Sequence, residues 1–177
     1  LIRYTTSDDP NALVLDFFAG SGTTGEAVMR LNRQDNGNRR YILVQLPEPL
    51  DPKDKQQKVA AKYCEDIGKP LNIAELTKER LRKAGGSIKS EKPDWSGDSG
   101  FRVFKLDKSN IRAWNPNSSD LKTSLFDHLE HLESGRSSED ILYEILLKLG
   151  LDLCVPIEKR EIAGKQVSSV GSGVLMA

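Results

Sequence analysis

An α/β fold is predicted by three observations: a short apolar run that breaks into a glycine-rich turn, a helical stripe directly behind that turn, and a second apolar run closed by proline. The first run, residues 13–18, reads Leu-Val-Leu-Asp-Phe-Phe, the pattern of a strand covered on both faces. Behind Ala19-Gly20-Ser21-Gly22, residues 23–31 place Ala27, Val28 and Leu31 at helical spacing, with Thr23 or Thr24 able to cap the helix. Asn36-Gly37-Asn38 is turn chemistry, and residues 41–46 form the second apolar run before Pro47. Strand, turn, helix and strand make one βαβ unit, whose strands are expected to be parallel and whose crossover is expected to be right-handed.

The stretch from Pro52 to Ile67 reads as a polar helix with a thin stripe through Val59, Ala60 and Tyr63, ended by Gly68 and Pro70. Asn72 and Glu75 have capping-box spacing, and Ile73, Leu76, Leu81 and Ala84 form a helix face expected to stop at Gly85-Gly86. Residues 87–99, rich in Lys, Ser, Gly, Pro and Asp, read as a linker or loop. Phe101, Val103 and Leu106 alternate with Arg102 and Lys105, which predicts a strand with one wet face. Two helices follow: one carries Leu121, Leu125, Leu129 and Leu132, and the other places Ile141, Leu142, Ile145, Leu146 and Leu149 behind Ser137 and Asp140 and ends at Gly150. Short apolar pieces around Ile162, Val167 and Val174, separated by glycines, predict a small antiparallel sheet. The expected organisation is a ligand-binding part at 1–86, a linker at 87–99, and an accessory α+β region at 100–177.

The 177 residues carry 26 basic and 26 acidic side chains, so the whole-molecule field gives no reason to expect a polyanionic partner. From Lys78 to Lys92 six bases face two acids, and from Asp120 to Glu144 seven acids face two bases; both runs read as solvated faces. No run reaches the roughly 18 apolar residues that cross a bilayer, and no signal segment opens the chain, so neither insertion nor secretion is expected. Cys64 and Cys154 fit neither a disulfide framework nor a zinc knuckle and are expected to be reduced, packed thiols of a cytosolic protein. His128 and His131, three apart, lack the four-residue spacing of a helical zinc pair and an evident third ligand, so no metal site is expected. Trp95 and Trp114 are expected to pack rather than to stack on bases. The first residue is Leu1, and Gly173 to Ala177 reads as a strand cut short, so a fragment of a longer protein is expected.

The chemistry concentrates in Asp16-Phe17-Phe18-Ala19-Gly20-Ser21-Gly22-Thr23-Thr24. Gly20 and Gly22 let backbone approach a ligand closely. The helix start offers free N–H groups to an anionic group. Asp16 can order the loop or accept hydrogen bonds from a cationic ligand, and one of Phe17 and Phe18 is expected to face that ligand. The crevice beyond the carboxyl ends of parallel strands is the usual binding place of such sheets. Gly20, Gly22 and Gly25 formally satisfy G-x-G-x-x-G, which keeps an NAD(P)-binding domain as a rival, although Gln45 stands near where that motif has its acidic partner. No phosphate-loop lysine follows, which argues against a nucleotide hydrolase.

The stretch Val14-Leu15-Asp16-Phe17-Phe18-Ala19-Gly20-Ser21-Gly22-Thr23-Thr24-Gly25, followed by Asn38-Arg39-Arg40-Tyr41-Ile42-Leu43-Val44-Gln45-Leu46-Pro47-Glu48, resembles the S-adenosylmethionine-binding region of adenine-specific DNA methyltransferases. More narrowly it resembles the modification subunit of type III restriction-modification systems, as do residues 73–80, 100–106 and 141–150, so the resemblance spans nearly the whole chain. The resemblance implies a Rossmann-like methyltransferase half-domain whose cofactor loop is Asp16, Phe17, Phe18, Ala19, Gly20, Ser21, Gly22, Thr23 and Thr24. Many relatives hold the ribose hydroxyls with an acidic residue at the end of the second strand; Gln45 stands there, with Glu48 as an expected helper.

The implied reaction of the full-length protein is methyl transfer from S-adenosylmethionine to N6 of adenine in double-stranded DNA. The implied setting is the cytoplasm, as a homodimer paired with a restriction subunit. The family's Asp-Pro-Pro-Tyr type motif, which holds the target base, is expected upstream and does not occur in this sequence, so no catalytic residue is assigned here. A different class of role, an assembly module, is suggested for the accessory region by the Leu121 to Leu132 and Ile141 to Leu149 stripes.

Overall fold

A computed structural model describes residues 1–112, 131–173 and 175–176. The chain divides into two units, Leu1–Val103 and Phe104–Ala177. In the first unit, α1 (Ile2–Thr5), β1 (Leu13–Asp16), α2 (Thr23–Asp35), β2 (Arg40–Leu43), α3 (Lys58–Asp66) and α4 (Ile73–Glu91) follow in order. β1 and β2 pair in parallel, Leu13 opposite Arg40 and Asp16 opposite Leu43, as the βαβ reading predicts. Met29 of α2 and Leu81, Ala84 and Ile88 of α4 form the buried core, with Tyr41, Leu43, Trp95 and Phe101 packed against it.

Several expectations about this unit are corrected. The strands are shorter than predicted, and Leu13, Leu15, Ile42 and Val44 are exposed, because the core lies on the face that carries Tyr41 and Leu43. Strand residues alternate, so the opposite set stays outside. α2 is capped by neither threonine: Gly22, with φ +85°, is its N-cap and makes no side-chain cap bond. The helix after Pro52 begins only at Lys58, and it buries Ala61 and Cys64 while Val59 is exposed.

The Gly85-Gly86 stop does not occur either. Asn72 caps α4 as predicted, its side chain accepting from the Glu75 N–H at 3.0 Å, but the helix runs on to Glu91. Residues 87–91, expected as the start of a linker or loop, are thus helical, and Trp95 packs on the core. Gly85 serves close packing: a Cβ there would stand 2.9 Å from the Ser99 carbonyl oxygen, whereas one at Gly86 would meet nothing within 4 Å among the described residues. Gly86→Ala is therefore expected to stabilise the protein by about 0.5–1 kcal/mol through helix propensity. Gly85→Ala should destabilise it by about 1–3 kcal/mol through overpacking. Chemical denaturation of the two variants checks the opposite signs; equal shifts would remove the packing role of Gly85.

One buried cation was not foreseen. Arg39 donates from Nε to Thr6 Oγ1 at 2.8 Å, from Nη2 to the Thr6 carbonyl at 2.9 Å, and from Nη1 to Asp35 at 3.0 Å. Asn32 exchanges two hydrogen bonds with the Arg39 backbone. The guanidinium fork thereby ties α1 to the turn before β2.

The second unit contains α5 (Ser138–Lys148), β3 (Ile157–Ile162), β4 (Lys165–Val170), a 3₁₀ turn (Gly171–Gly173) and β5 (Leu175–Met176), the strands forming an antiparallel sheet in the order β3-β4-β5. The predicted antiparallel sheet and the helix behind Ser137 are both present. Ser137 and Asp140 form a reciprocal capping box, and Ala163 and Gly164 turn the β3-β4 hairpin with φ +52° and +76°. Leu142 and Leu146 are buried with Val170, so this stripe serves the unit's own core. Residues 101–106 form no strand; Phe101 packs in the first unit, and Phe104 meets Tyr143 edge to face at 5.0 Å in the second. Glu144 accepts from Ser109 Oγ at 2.5 Å and the Asn110 N–H at 2.6 Å. With Lys148 as the largest cause, these contacts hold its carboxyl down to about 2. Cys154 is exposed, against expectation, while Cys64 is buried and its thiol pushed up by desolvation. The Leu121, Leu125 and Leu129 stripe, Trp114, His128 and Val174 lie outside the described residues; His131 is exposed.

Candidate cofactor site

The loop at residues 17–22 leaves the carboxyl end of β1 and lies beside the carboxyl end of β2. The Ala19 N–H donates to the Val44 carbonyl at 3.2 Å, and the Val44 N–H donates to the Asp16 carbonyl at 2.8 Å. The bend therefore sits at the strand tips, as the sequence expects. Asp16 orders it from within: Oδ1 accepts from the Phe18 N–H at 3.0 Å and Oδ2 accepts from Thr24 Oγ1 at 2.6 Å. A carboxylate that spans loop and helix start fixes the path between them, because ionised acceptors make the stronger hydrogen bonds.

Gly20 and Gly22 both adopt left-handed conformations, φ +53° and +85°. They differ in what surrounds them. Among the described residues, a Cβ on Gly20 would find only the Phe18 carbonyl, 3.9 Å away, so they leave that side of the loop open to an approaching ligand. A Cβ on Gly22 would meet Thr77 Cγ2 at 3.0 Å and the Thr77 carbonyl at 3.2 Å. Gly25 is buried, and a Cβ there would come within 2.7 Å of Leu81 and 2.9 Å of Leu43, so it sets how closely α2 approaches α4 and the sheet. Phe17 and Phe18 both stand out of the core, at 64% and 91% exposure. Ala19 is buried beneath the loop, Ser21 is half-buried, Thr23 is exposed at the helix start and Thr24 is half-buried.

Gln45 also has partners within the protein. Its Oε1 accepts from the Gly20 N–H at 2.7 Å and its Nε2 donates to the Leu46 carbonyl at 3.0 Å, leaving the second Nε2 proton for another acceptor. Glu48 is exposed near the same strand end, its carbonyl accepting from the Ile73 N–H at 3.0 Å. In the basic run on α4, Arg80 pairs with Glu26 at 3.0 Å, Lys78 with Glu75 at 2.5 Å and Arg82 with Glu79 at 3.5 Å. Arg30 first and Arg80 second hold the Glu26 carboxyl below its ordinary value. Thr77, buried on α4, donates from Oγ1 to the Gly20 carbonyl at 2.5 Å, a contact the sequence reading did not find. The available signal was a hydroxyl on the otherwise apolar stripe of Ile73, Leu81, Ala84 and Ile88.

With this geometry in place, the DNA methylase family is matched at residues 1–48. The chain is 34% identical over 98 residues, 55% of its length, to the type III restriction-modification enzyme StyLTI Mod subunit of Salmonella typhimurium. It is 39% identical over 98 residues to the EcoP15I Mod subunit of Escherichia coli. A shorter stretch of 41 residues is 54% identical to the type II methyltransferase M.KpnI of Klebsiella pneumoniae. The matched stretches span 14%, 13% and 10% of these relatives and 55%, 55% and 23% of this chain. The resemblance to type III modification subunits is thus shown over about half of the chain, with the glycine-rich loop inside the part that matches the DNA methylase family.

Proposed function

We propose that this chain carries the cofactor-binding part of a Rossmann-like, adenine-specific DNA methyltransferase that uses S-adenosylmethionine and works within a type III restriction-modification system. The observation that carries the reading is the open, left-handed Gly20 turn at the carboxyl ends of two parallel strands, locked by Asp16 to the first turn of α2. Similarity to Mod subunits and to the DNA methylase family supports it. The residues fit the nucleoside: Gly20 leaves room for close approach, the first N–H groups of α2 have no intrahelical acceptor and suit a carboxylate, and Phe17 and Phe18 offer apolar faces to an adenine ring. Ala19, Ser21, Gly22, Thr23 and Thr24 complete the wall of this cradle, and Gln45 and the exposed Glu48 carboxylate supply hydrogen bonds for ribose hydroxyls.

When bound, S-adenosylmethionine would supply the methyl group from a sulfonium, whose neutral thioether is a good leaving group. The full-length protein is proposed to act on N6 of adenine in double-stranded DNA, in the cytoplasm, as a homodimer paired with a restriction subunit. Among the described residues no helix is long and apolar enough to cross a membrane. In-line transfer needs the amine held against the methyl, and the motif that would hold it does not occur in this sequence. The 177-residue chain is therefore expected to bind S-adenosylmethionine weakly and to leave DNA unmethylated. Calorimetry with S-adenosylmethionine and NAD side by side tests the reading. Binding of NAD alone would retire it, and methylation of DNA by the purified chain would overturn the expected inactivity.

A further inference from the structure

Gly20 is held at both polar groups of its residue: the N–H by Gln45 from the end of β2, and the carbonyl by Thr77 from α4. We propose that Thr77 is a positioning residue for the glycine-rich loop, its hydroxyl fixing the Gly20 carbonyl and its methyl and backbone forming the floor under Gly22. The proposal rests on the methyl-donor reading of the loop and adds a residue, 57 positions from Gly20, that reaches it only through the tertiary fold.

The chemistry of the hydroxyl carries the argument. A threonine hydroxyl has one proton, and two carbonyl oxygens lie within reach of Thr77 Oγ1, Gly20 at 2.5 Å and Ile73 at 3.0 Å. The Ile73 contact is the ordinary bond back to the preceding helical turn, available to any threonine in a helix. The shorter contact goes to the loop. Thr77 is only 6% exposed, so water cannot readily replace the bond.

The helix that presents Thr77 is itself anchored, since Leu81, Ala84 and Ile88 lie in the core with Met29. One turn beyond Thr77, Leu81 touches the place where a side chain on Gly25 would be. Thr77 and Leu81 thus follow α2 along its first turns, and the loop is positioned from a rigid element. With the Gly20 peptide held in this way, the N–H groups that begin α2 keep their outward direction, which a bound carboxylate requires.

The test uses the whole 177-residue chain with Thr77→Val, which keeps the shape and the methyl group but removes the donor, and Thr77→Ser, which keeps the donor. Without any cofactor, Thr77→Val is expected to speed amide hydrogen exchange at Gly20 to Thr24 by about tenfold, leaving Met29, Leu81 and Ile88 as in the parent, while Thr77→Ser exchanges within about twofold of the parent. In calorimetry, S-adenosylmethionine affinity should fall about tenfold for Thr77→Val and be largely retained by Thr77→Ser. Parental loop exchange in Thr77→Val would overturn the proposal. So would a Thr77→Ser variant as impaired as Thr77→Val, since the methyl group and not the hydroxyl would then be responsible. A parent chain that ignores S-adenosylmethionine, while Thr77→Val still loosens the loop, would sink the methyl-donor reading and leave the positioning role standing.

Discussion

Gly22→Ala is expected to destabilise the first unit by about 2–4 kcal/mol, combining left-handed strain with overpacking, and to abolish detectable S-adenosylmethionine binding. Two effects add at this position. The φ of +85° is strained for any residue with a Cβ, and the new methyl would press on Thr77 at 3.0 Å from Cγ2, 3.2 Å from the carbonyl and 3.4 Å from Cα. A flexible side chain could give way, but two of these three atoms are helix backbone held by the core beneath them. Relief must therefore come from moving the loop, which displaces Gly20 from the Gln45 and Thr77 contacts. Gly68→Ala provides the comparison. Its φ is +64° and a Cβ there meets nothing within 4 Å among the described residues, so it should show the strain alone, about 1–2 kcal/mol. Denaturant unfolding of both variants, beside calorimetry, separates the contributions; equal destabilisation of the two would remove the packing argument.

The second large effect is expected in the other unit. Leu146 is fully buried, and among the described residues Leu142 and Val170 join it as buried residues of that cluster. Leu146→Ala should cost about 2–5 kcal/mol, because a cavity is left as well as the lost transfer energy. Amide hydrogen exchange should show protection lost together across α5, β3 and β4. The neighbouring Leu147, 62% exposed, is the control, and Leu147→Ala should stay within about 0.5 kcal/mol of the parent. Persistent protection in Leu146→Ala would mean that the cluster does not hold the unit together. The same burial alters how an interface role of this helix must be probed: Leu142→Asp would place a charge in the core, so a loss of assembly in that variant would report unfolding.

The elements that were legible in the sequence are those set by neighbouring residues. Asp16 to Gly22 reads as a strand breaking into a glycine-rich loop because two glycines follow directly on an apolar run, and the structure places that loop at the strand tips with both glycines left-handed. Ser137 and Asp140 announce the start of α5 by their three-residue spacing, and both halves of the box form. What was not legible shares another cause. Gly85-Gly86 carries the local signal of a helix end, yet Ser99 approaches so closely that glycine is required within the helix. Gln45 stands at a strand end as expected for a ribose contact, and its oxygen in addition holds Gly20, 25 residues earlier, a contact that no local signal indicates.

Periodicity, capping pairs and turn glycines thus establish from the amino acids alone that a parallel βαβ unit presents a glycine-rich loop, since each of these signals acts within a few residues of chain. Which face of β1 and β2 is covered, that Arg39 is buried among Thr6 and Asp35, and that Gln45 and Thr77 grip the same glycine were decided only by tertiary packing. The physical reason is separation. Partners 25, 33 and 57 residues apart meet because helices and strands pack in one arrangement, and no local rule of spacing specifies which distant side chain will fill a given hydrogen bond.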